Sequence, residues 1–514
     1  MVKERNFGYD IDVEVENIKS PLPPRVPEEM MEEKNRPEAD REETTEIKAR
    51  GEAQIEEGAA EKAKGKKKWW IFGGIGLAVV AMVAGVVMLT KKEGVTGKEV
   101  TINYWGLWEE ESVMGAVIAD FEAKYPKIKV NYVKNSHDNY RTRLAGRLTK
   151  DAEATEVPDI YRIHASWLPM FMDNLAVVPD ETSTKIGLEN DFYDVYKRDL
   201  KIDGGFRAIP LMYDGLALFY NKKLLSAGGI ELPRTWWDLE SAAGKLTVTN
   251  EEGQIRVAGA ALGMTENVDH WSDIVGLMMK QNGVDLTVDS EANSQKIANV
   301  LSFYTLFANK TKCWQGYLPN STQLFASGNL AFYFGPSWRV FNIGEMNPSL
   351  DYGVARVPQL PTLTEAGPED MENLGNESLT NISWSSYWVE GVNNKSDKKS
   401  EAFLFLEFLT RKENLAKMYE SGSQIRAFGE ISPRKSMIEE MRANTKVAPF
   451  VEGADMAFSG WTNSRTFDDG LNDRMNQYFK DAINSMVLQG NSVEGAMPAL
   501  RSGIGQIVNQ YGLK

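Results

Sequence analysis

Cysteine and histidine are scarce in this chain, and their scarcity excludes several kinds of site. Cys313 is the only cysteine, so no internal disulfide can form. The three histidines, His137, His164 and His270, have neither HxxxH nor HExxH spacing. The sequence therefore contains no recognisable ligand set for a zinc or non-haem iron enzyme, and we expect neither a metal nor another cofactor.

Other common functional signals are missing as well. The sequence has neither the GxxxxGK[ST] loop that binds phosphates nor the Gly-x-Ser-x-Gly turn of serine hydrolases. Acidic residues outnumber basic ones, 73 Asp and Glu against 58 Lys and Arg, which gives a formal net charge of −15. Because binding to phosphate backbones requires a basic surface, we do not expect nucleic acid to be a partner.

One long apolar run is present, WWIFGGIGLAVVAMVAGVVMLT at residues 69–90. At about 1.5 Å of rise per residue, a helix of this length crosses a hydrocarbon core about 30 Å thick. Five lysines lie within residues 62–68, whereas only Lys91 and Lys92 follow the run closely. The positive-inside rule therefore predicts a cytoplasmic amino terminus. The run starts too late and is too long for a cleaved signal peptide, so we predict a transmembrane signal-anchor helix in the lipid bilayer.

The apolar run divides the chain into unequal parts. Residues 1–68 are rich in charge, with a proline cluster and few apolar residues, and are predicted to be a disordered cytoplasmic arm. This arm is interpreted either as a docking tail or as a solvated spacer. Residues 91–97 are predicted to be a linker, and residues 98–514 an extracellular domain long enough for two lobes.

The start of that domain predicts a β-α-β unit. KEVTINYWGLW alternates apolar and polar residues as a strand does, and IKVNYV predicts a second strand. Between them, Val113, Val117, Ile118 and Phe121 have helical spacing. Such a unit implies a mostly parallel sheet with helices on its faces and a ligand at the carboxyl ends of the strands.

Two helices further along the chain are also predicted from their patterns. LPRTWWDLESAAGKL predicts a helix capped near Thr235. EAFLFLEFLTRKENLAKMYESG predicts a single amphipathic helix that ends at Gly422.

Six segments in order carry a resemblance to a known family. They are FEAKYPKIKVNYV, VPDIYRI, FYNKKLLSAGGIELPRTWWDLE, ASGNLAFYFGPSW, SDKKSEAFLFLEFL and ISPRKS. These segments resemble motifs of the extracellular solute-binding proteins that serve carbohydrate ABC importers, a family that includes maltose-binding protein. The chain departs from the family in its anchor, since family members usually have a cleaved signal or a lipidated cysteine.

The resemblance implies a two-lobed α/β fold like that of periplasmic binding proteins, with a hinge and an interlobe cleft. Lobe 1 would comprise about 98–211 and 376–425, and lobe 2 about 212–375 and 426–514. The resemblance also implies a set of ligand-binding residues, since aromatic faces stack on sugar rings and polar side chains bind hydroxyls. The implied set is Trp108, Glu109, His164, Ser166, Trp167, Tyr213, Asp214, Trp271, Trp338, Trp384 and Trp461.

Packing remains the alternative for Trp461, and a solvated turn the alternative for Asp214. The implied function is capture of a carbohydrate outside the cell and its delivery to ABC permease subunits, without catalysis. One rival is a glycoside hydrolase in which Glu109 and Asp214 form the carboxylate pair. A second rival is a sensor that signals through the cytoplasmic arm. Phosphate esters, polyamines and metal chelates also remain open as ligands.

Overall fold

The computed structural model describes residues 99–149, 157–361 and 378–513. The predicted arm, apolar run and linker at residues 1–97 lie outside these ranges and stay predictions. Among the described residues, no helix combines the length and apolar character that crossing a membrane requires.

The described residues contain the following strands, given in chain order. They are β1 (Val100–Gly106), β2 (Ile128–Lys134), β3 (Ile160–His164), β4 (Lys201–Ile202), β5 (Gly205–Phe206), β6 (Ile209–Pro210), β7 (Ala217–Asn221), β8 (Val248–Thr249), β9 (Ile255–Ala260), β10 (Leu330–Gly335), β11 (Tyr352–Ala355), β12 (Ser383–Trp384), β13 (Trp388–Val392) and β14 (Ala457–Phe458).

The helices of the same ranges surround these strands. They are α1 (Glu111–Lys124), α2 (Tyr140–Arg147), α3 (Leu168–Phe171), α4 (Asp180–Ile186), α5 (Asp194–Leu200), α6 (Lys222–Gly228), α7 (Trp236–Leu246), α8 (Trp271–Gln281), α9 (Glu291–Asn309), α10 (Ser321–Ala326), α11 (Arg339–Met346), α12 (Lys399–Leu409), α13 (Lys412–Ser423), α14 (Ile438–Arg442), α15 (Ala448–Glu452), α16 (Leu471–Leu488) and α17 (Val493–Tyr511). Short 3₁₀ turns lie at Ala165–Trp167, Met172–Asn174, Lys435–Met437 and Ala454–Met456.

The first sheet has the strand order β2-β1-β3-β13-β6. Strands β2, β1 and β3 are parallel, and Tyr104 of β1 lies opposite Tyr132 of β2 and Ile160 of β3. The predicted β-α-β unit is therefore present as β1, α1 and β2. Strand β13 is antiparallel to both β3 and β6. The chain returns to the first sheet at β13, after the strands of the second sheet, and runs in the opposite direction.

The second sheet has the order β11-β7-β10-β9-β8, and only β9 and β10 pair in parallel. The prediction of a mostly parallel sheet is wrong for this sheet and for the edge of the first. Strand direction is not visible in the sequence, since a buried apolar run has the same pattern in either direction.

Each sheet has its own aromatic core. Under the first sheet, the Phe121 and Phe405 rings of α1 and α12 lie 4.8 Å apart between centroids. Under the second, Trp236 of α7 stacks on Phe334 of β10 at 5.6 Å. Helix α7 begins where predicted, because Thr235 and Asp238 form a capping box that satisfies two free N–H groups. This cap fixes the residue at which α7 begins.

The prediction of one helix through residues 401–422 is wrong, since α12 and α13 are separate helices. Arg411 has extended backbone angles and interrupts the helix between them. Two carbonyls left free at the break accept hydrogen bonds from elsewhere: Asn414 Nδ2 donates to Phe408 O at 2.6 Å, and Arg434 Nε donates to Thr410 O at 2.7 Å. These side chains satisfy carbonyls that a continuous helix would have paired internally.

Three segments that connect the two sheets lie side by side, and we call them the crossing segments: residues 211–216, 384–387 and 428–432. Tyr213 N donates to Ile431 O at 2.8 Å, and Leu216 N donates to Trp384 O at 2.9 Å. Gly215 permits this close approach, because a Cβ there would lie 2.5 Å from the Trp384 carbonyl oxygen. The crossing segments form one wall of the cavity described next.

Candidate functional site

A cavity of about 390 Å³ lies where the loops of the two sheets and the crossing segments meet. Aromatic side chains line much of it, and hydrogen-bonding side chains are interspersed among them. The lining residues are Trp108, His137, His164, Met212, Asp214, Gly215, Leu216, His270, Asp273, Pro336, Ser337, Trp338, Phe341, Trp384, Ser386, Trp388, Arg426, Phe428, Gly429, Glu430, Ser464, Arg465 and Phe467.

Five of the implied ligand-binding residues line this cavity: Trp108, His164, Asp214, Trp338 and Trp384. They come from widely separated parts of the sequence and meet only in the folded chain. Loop positions at strand ends explain their convergence, since Trp108 follows β1, His164 ends β3 and Trp338 follows β10. This is the location that open α/β sheets favour for ligands.

The other implied residues do not line the cavity. Three of them are buried beside it: Trp167 packs on Trp388 and Phe171, and Tyr213 packs on Tyr193. The third, Glu109, has a side chain that is only 2% exposed. The remaining members are Ser166, whose hydroxyl bonds to His164, and two partly buried residues away from the lining, Trp271 and Trp461.

Two tryptophans form opposite parts of the aromatic lining. Trp108 meets Trp388 edge-on at 5.3 Å and His137 at 5.6 Å between ring centroids. Trp338 has the Arg339 guanidinium 4.3 Å from its ring centroid and the edge of His270 at 5.5 Å. Both indoles are only partly buried, so they present apolar surface to the cavity.

Asp214 is a buried acid at the crossing segments. Its Oδ1 accepts hydrogen bonds from Gly215 N at 2.8 Å and from Ser337 N at 2.9 Å. Burial nevertheless raises the pKa of the Asp214 carboxyl to about 7, more than these bonds lower it. The group is therefore held in place by backbone amides from both sides of the cavity.

Both buried histidines of the cavity are uncharged at neutral pH. Burial lowers the pKa of His164 to about 3, and its Nδ1 accepts from Ser166 while Nε2 donates to Ser386 Oγ at 3.1 Å. Burial also lowers the pKa of His270, whose Nε2 accepts from Arg339 Nε at 3.0 Å. Each ring therefore has a fixed tautomer.

The two arginines of the lining have carboxylate partners. Arg465 Nη2 lies 2.8 Å from Asp269 Oδ1. Arg426 Nη2 lies 2.9 Å from Glu109 Oε1 and 3.3 Å from Glu430 Oε1. Arg426 is therefore compensated by its own acids, whereas Arg465 shares Asp269 with Arg339, whose Nη2 lies 3.1 Å from Asp269 Oδ2.

The carboxyls of Glu109 and Glu430 interact directly. Burial and the neighbouring Glu109 together raise the pKa of Glu430 to about 8, against the lowering effect of the Arg426 charge. For Glu109, burial opposes ionisation, but a hydrogen bond from Glu430 and the charge of Arg426 lower its pKa overall. Glu109 is thus the carboxylate of the pair and Glu430 the proton donor.

Several lining residues were missed by sequence reasoning, among them Arg426, Glu430 and Phe467. The segment ISPRKS begins only at Ile431, five residues after Arg426, and nothing in the local sequence pattern places Arg426 or Glu430 at a cavity. In SRTFDDG the non-glycine residues Arg465, Phe467 and Asp469 have positive φ, a backbone feature that the sequence does not show. A metal site is not indicated, since the described residues contain no group of three His, Cys, Asp or Glu side chains able to hold an ion.

Comparisons with known proteins agree with this architecture. A multiple sugar-binding protein of Streptococcus mutans serotype c is 22% identical over 398 residues, which cover 74% of this chain and 87% of that protein. The crystal structure of a cyclic α-maltosyl-1,6-maltose binding protein from Arthrobacter globiformis matches with a TM-score of 0.61 at 18% identity, covering 80% of this chain and all of that one. A cyclo/maltodextrin-binding protein complexed with maltotetraose matches with a TM-score of 0.62 at 16% identity, covering 80% of this chain and 98% of that one.

The two structural matches establish the fold alone, which is that of two-lobed maltose-binding-like proteins. The family follows from the sequence itself, because the model of the bacterial extracellular solute-binding proteins matches residues 116–449, more than half of the chain. This chain belongs to the family of bacterial extracellular solute-binding proteins.

Proposed function

We propose that the protein captures a neutral carbohydrate in the cavity between its two sheets and delivers it to an ABC importer, without chemical conversion. The observation that carries the proposal is the cavity wall, in which the faces of Trp108 and Trp338 alternate with hydrogen-bonding groups such as Asp214. Aromatic faces accommodate the C–H side of sugar rings, and buried polar groups orient the hydroxyls. The names of the relatives, which bind sugars and maltodextrins, support the same ligand class.

Charge in the cavity supports a neutral rather than an anionic sugar. Arg426 already binds Glu109, and His164 is uncharged. The cavity is also lined by the acids Asp214, Asp273 and Glu430. A free donor is nonetheless available, since the buried Trp108 Nε1 has no acceptor within the described ranges. Because buried donors are usually paired, a ligand hydroxyl is a suitable partner for this group.

The position of Glu109 counts against a hydrolase that uses the predicted pair of Glu109 and Asp214. Hydrolysis requires two carboxyl groups that flank a scissile bond. Asp214 lines the cavity, but Glu109 does not, and its carboxylate binds Arg426. We therefore assign Glu109 to holding the cavity wall together.

The proposed function is tested by thermal unfolding of the full chain against a panel of solutes. We expect a neutral sugar among maltotetraose, mannobiose and tagatose to raise the unfolding midpoint, since a ligand that binds only the native state stabilises it. A sugar phosphate and a uronic acid serve as anionic controls and should have smaller effects. Stabilisation only by the anionic solutes would contradict the proposal, and release of shorter sugars from labelled maltotetraose would show a hydrolase.

We further propose that residues 69–90 tether the domain to the outer face of the cell membrane, with residues 1–68 inside. The support is the length of the apolar run and the lysines before it. Protease added to intact cells should then remove the domain after Thr90 and spare an epitope placed on the arm. Loss of the arm epitope with the domain protected would reverse the orientation, and release of the whole chain into the medium would exclude a tether.

A further inference from the structure

Residues 426–430, which we call the Arg426 segment, contact both sides of the cavity. Toward the first sheet, Arg426 Nη2 donates a hydrogen bond to Glu109, which lies in the loop after β1. Toward the second sheet, the ring of Phe428 lies 4.7 Å from that of Phe341 on α11, and the Arg426 guanidinium lies 5.3 Å from the same ring. The segment therefore connects two parts of the wall that must stay together to enclose a ligand.

The contact between Arg426, Glu109 and Glu430 contains two carboxyl groups but one guanidinium. Glu109 and Glu430 both place an oxygen on the same nitrogen of Arg426, at 2.9 and 3.3 Å. One guanidinium compensates one carboxylate, so two ionised carboxyls would leave a surplus negative charge at a mostly buried position. A proton shared by the two carboxyls removes that surplus.

The other charged or titratable groups around the pair do not supply the missing compensation. From β2, Tyr132 donates its hydroxyl to Glu109 O at 2.8 Å. From β3, Arg162 is committed to Glu390 of β13, with Arg162 Nε 2.7 Å from Glu390 Oε1. From α11, the neighbour is the uncharged Phe341. The shared proton is therefore the remaining way to balance the contact.

We propose that Glu109 and Glu430 share one proton, and that loss of this proton weakens the contact of the Arg426 segment with the loop after β1 and so loosens ligand binding. Ionisation of both acids introduces repulsion at the point where the segment joins the first sheet. The cavity then closes less firmly around its ligand at alkaline pH. The ligand-binding part of this inference rests on the proposed function, whereas the shared proton does not.

The direction of the pH effect follows from the raised pKa of Glu430. A carboxyl whose pKa is higher in the folded than in the unfolded chain contributes stability that is complete below the unfolded pKa. That contribution is lost as the pH rises through the folded pKa, which for Glu430 is about 8. The sensitive window therefore extends from the ordinary pKa of glutamate, about 4.3, to about pH 8.

The experiment compares the full chain with Glu430→Gln, which keeps the shape and one hydrogen-bond donor of the protonated acid. The unfolding equilibrium constants of both are measured in urea at pH 5.5 and pH 8.5. Acids outside the pair titrate equally in both proteins, so the ratio of the two constants isolates the pair of Glu109 and Glu430. We expect this ratio to shift at least tenfold in favour of the variant as the pH rises. The exposed Glu440→Gln is the matched control and should show no shift.

Ligand binding gives a second readout that a purely structural role would not change. Maltotetraose is titrated calorimetrically at pH 7 in phosphate and in Tris, whose different ionisation enthalpies report proton uptake. We expect the natural sequence to take up more protons than Glu430→Gln, and the difference reports on Glu430 because Asp214, whose pKa is about 7, is present in both proteins. Equal proton uptake by the two proteins would overturn the coupling and leave the proposed function standing, whereas absence of all sugar binding would count against the function instead. An unfolding ratio that does not change with pH would overturn the shared proton itself, and Glu109→Gln, which removes the other acid, must agree with Glu430→Gln.

Discussion

Replacing Trp338 by alanine should weaken sugar binding roughly 30-fold or more, equivalent to about 2 kcal/mol. The indole lies at the end of β10 with Arg339 and His270 packed around it, so its orientation is fixed before the ligand arrives. Removing it takes away a preformed apolar surface in the middle of the lining. Calorimetric titration of the sugar that stabilises the protein most will measure the loss.

Two comparisons separate binding from folding in this prediction. Trp338→Phe keeps an aromatic face and should recover part of the affinity. Trp237→Ala removes an indole of α7 that packs near Phe303, away from the cavity lining, and should leave affinity unchanged. If Trp338→Ala altered neither affinity nor the fluorescence response to ligand, the assignment of Trp338 to the ligand site would be wrong.

The largest effect on stability is expected from Glu390→Gln. The side chains of Glu390 and Arg162 are 0% and 2% exposed, and Glu390 Oε1 accepts from Arg162 Nε at 2.7 Å and from Tyr104 Oη at 2.6 Å. Removing the carboxylate charge leaves the guanidinium buried without compensation. Breaking such a pair costs about 3 to 5 kcal/mol, which denaturant unfolding at pH 7 will measure.

A double variant separates the effect of the charges of Arg162 and Glu390 from the effect of the volume that their side chains fill. Arg162→Met combined with Glu390→Leu removes both charges and should be far less destabilising than Glu390→Gln alone. The exposed pair of Arg442 and Glu439 provides the contrast, since Glu439→Gln should cost less than about 1 kcal/mol. A Glu390→Gln protein as stable as the natural sequence would show that the buried guanidinium is compensated in another way.

The sequence predicts local structure well where the signal itself is local. The helical spacing of Val113, Val117 and Phe121 and the cap at Thr235 both mark elements that the structure contains. Strand direction and the break at Arg411 were not predictable, because each depends on distant chain segments. At the break, the distant segment is the one that carries Arg434, whose guanidinium donates a hydrogen bond to the Thr410 carbonyl oxygen.

The candidate site shows the same division. Trp108, Asp214 and Trp338 were predicted as site residues from the resemblance to a known family, and all three line the cavity. Arg426 and Glu430 were not predicted, because their contact with Glu109 depends on how the Arg426 segment packs against the loop after β1. Local sequence does not predict this long-range contact.

Titration of maltotetraose and other neutral sugars into the full chain tests the central claim most directly. The account predicts saturable binding of one ligand per chain, with an affinity near 1 µM, about −8 kcal/mol, that Trp338→Ala reduces and that produces no shorter sugar. Binding that Trp338→Ala leaves intact, or conversion of the sugar to products, would contradict it.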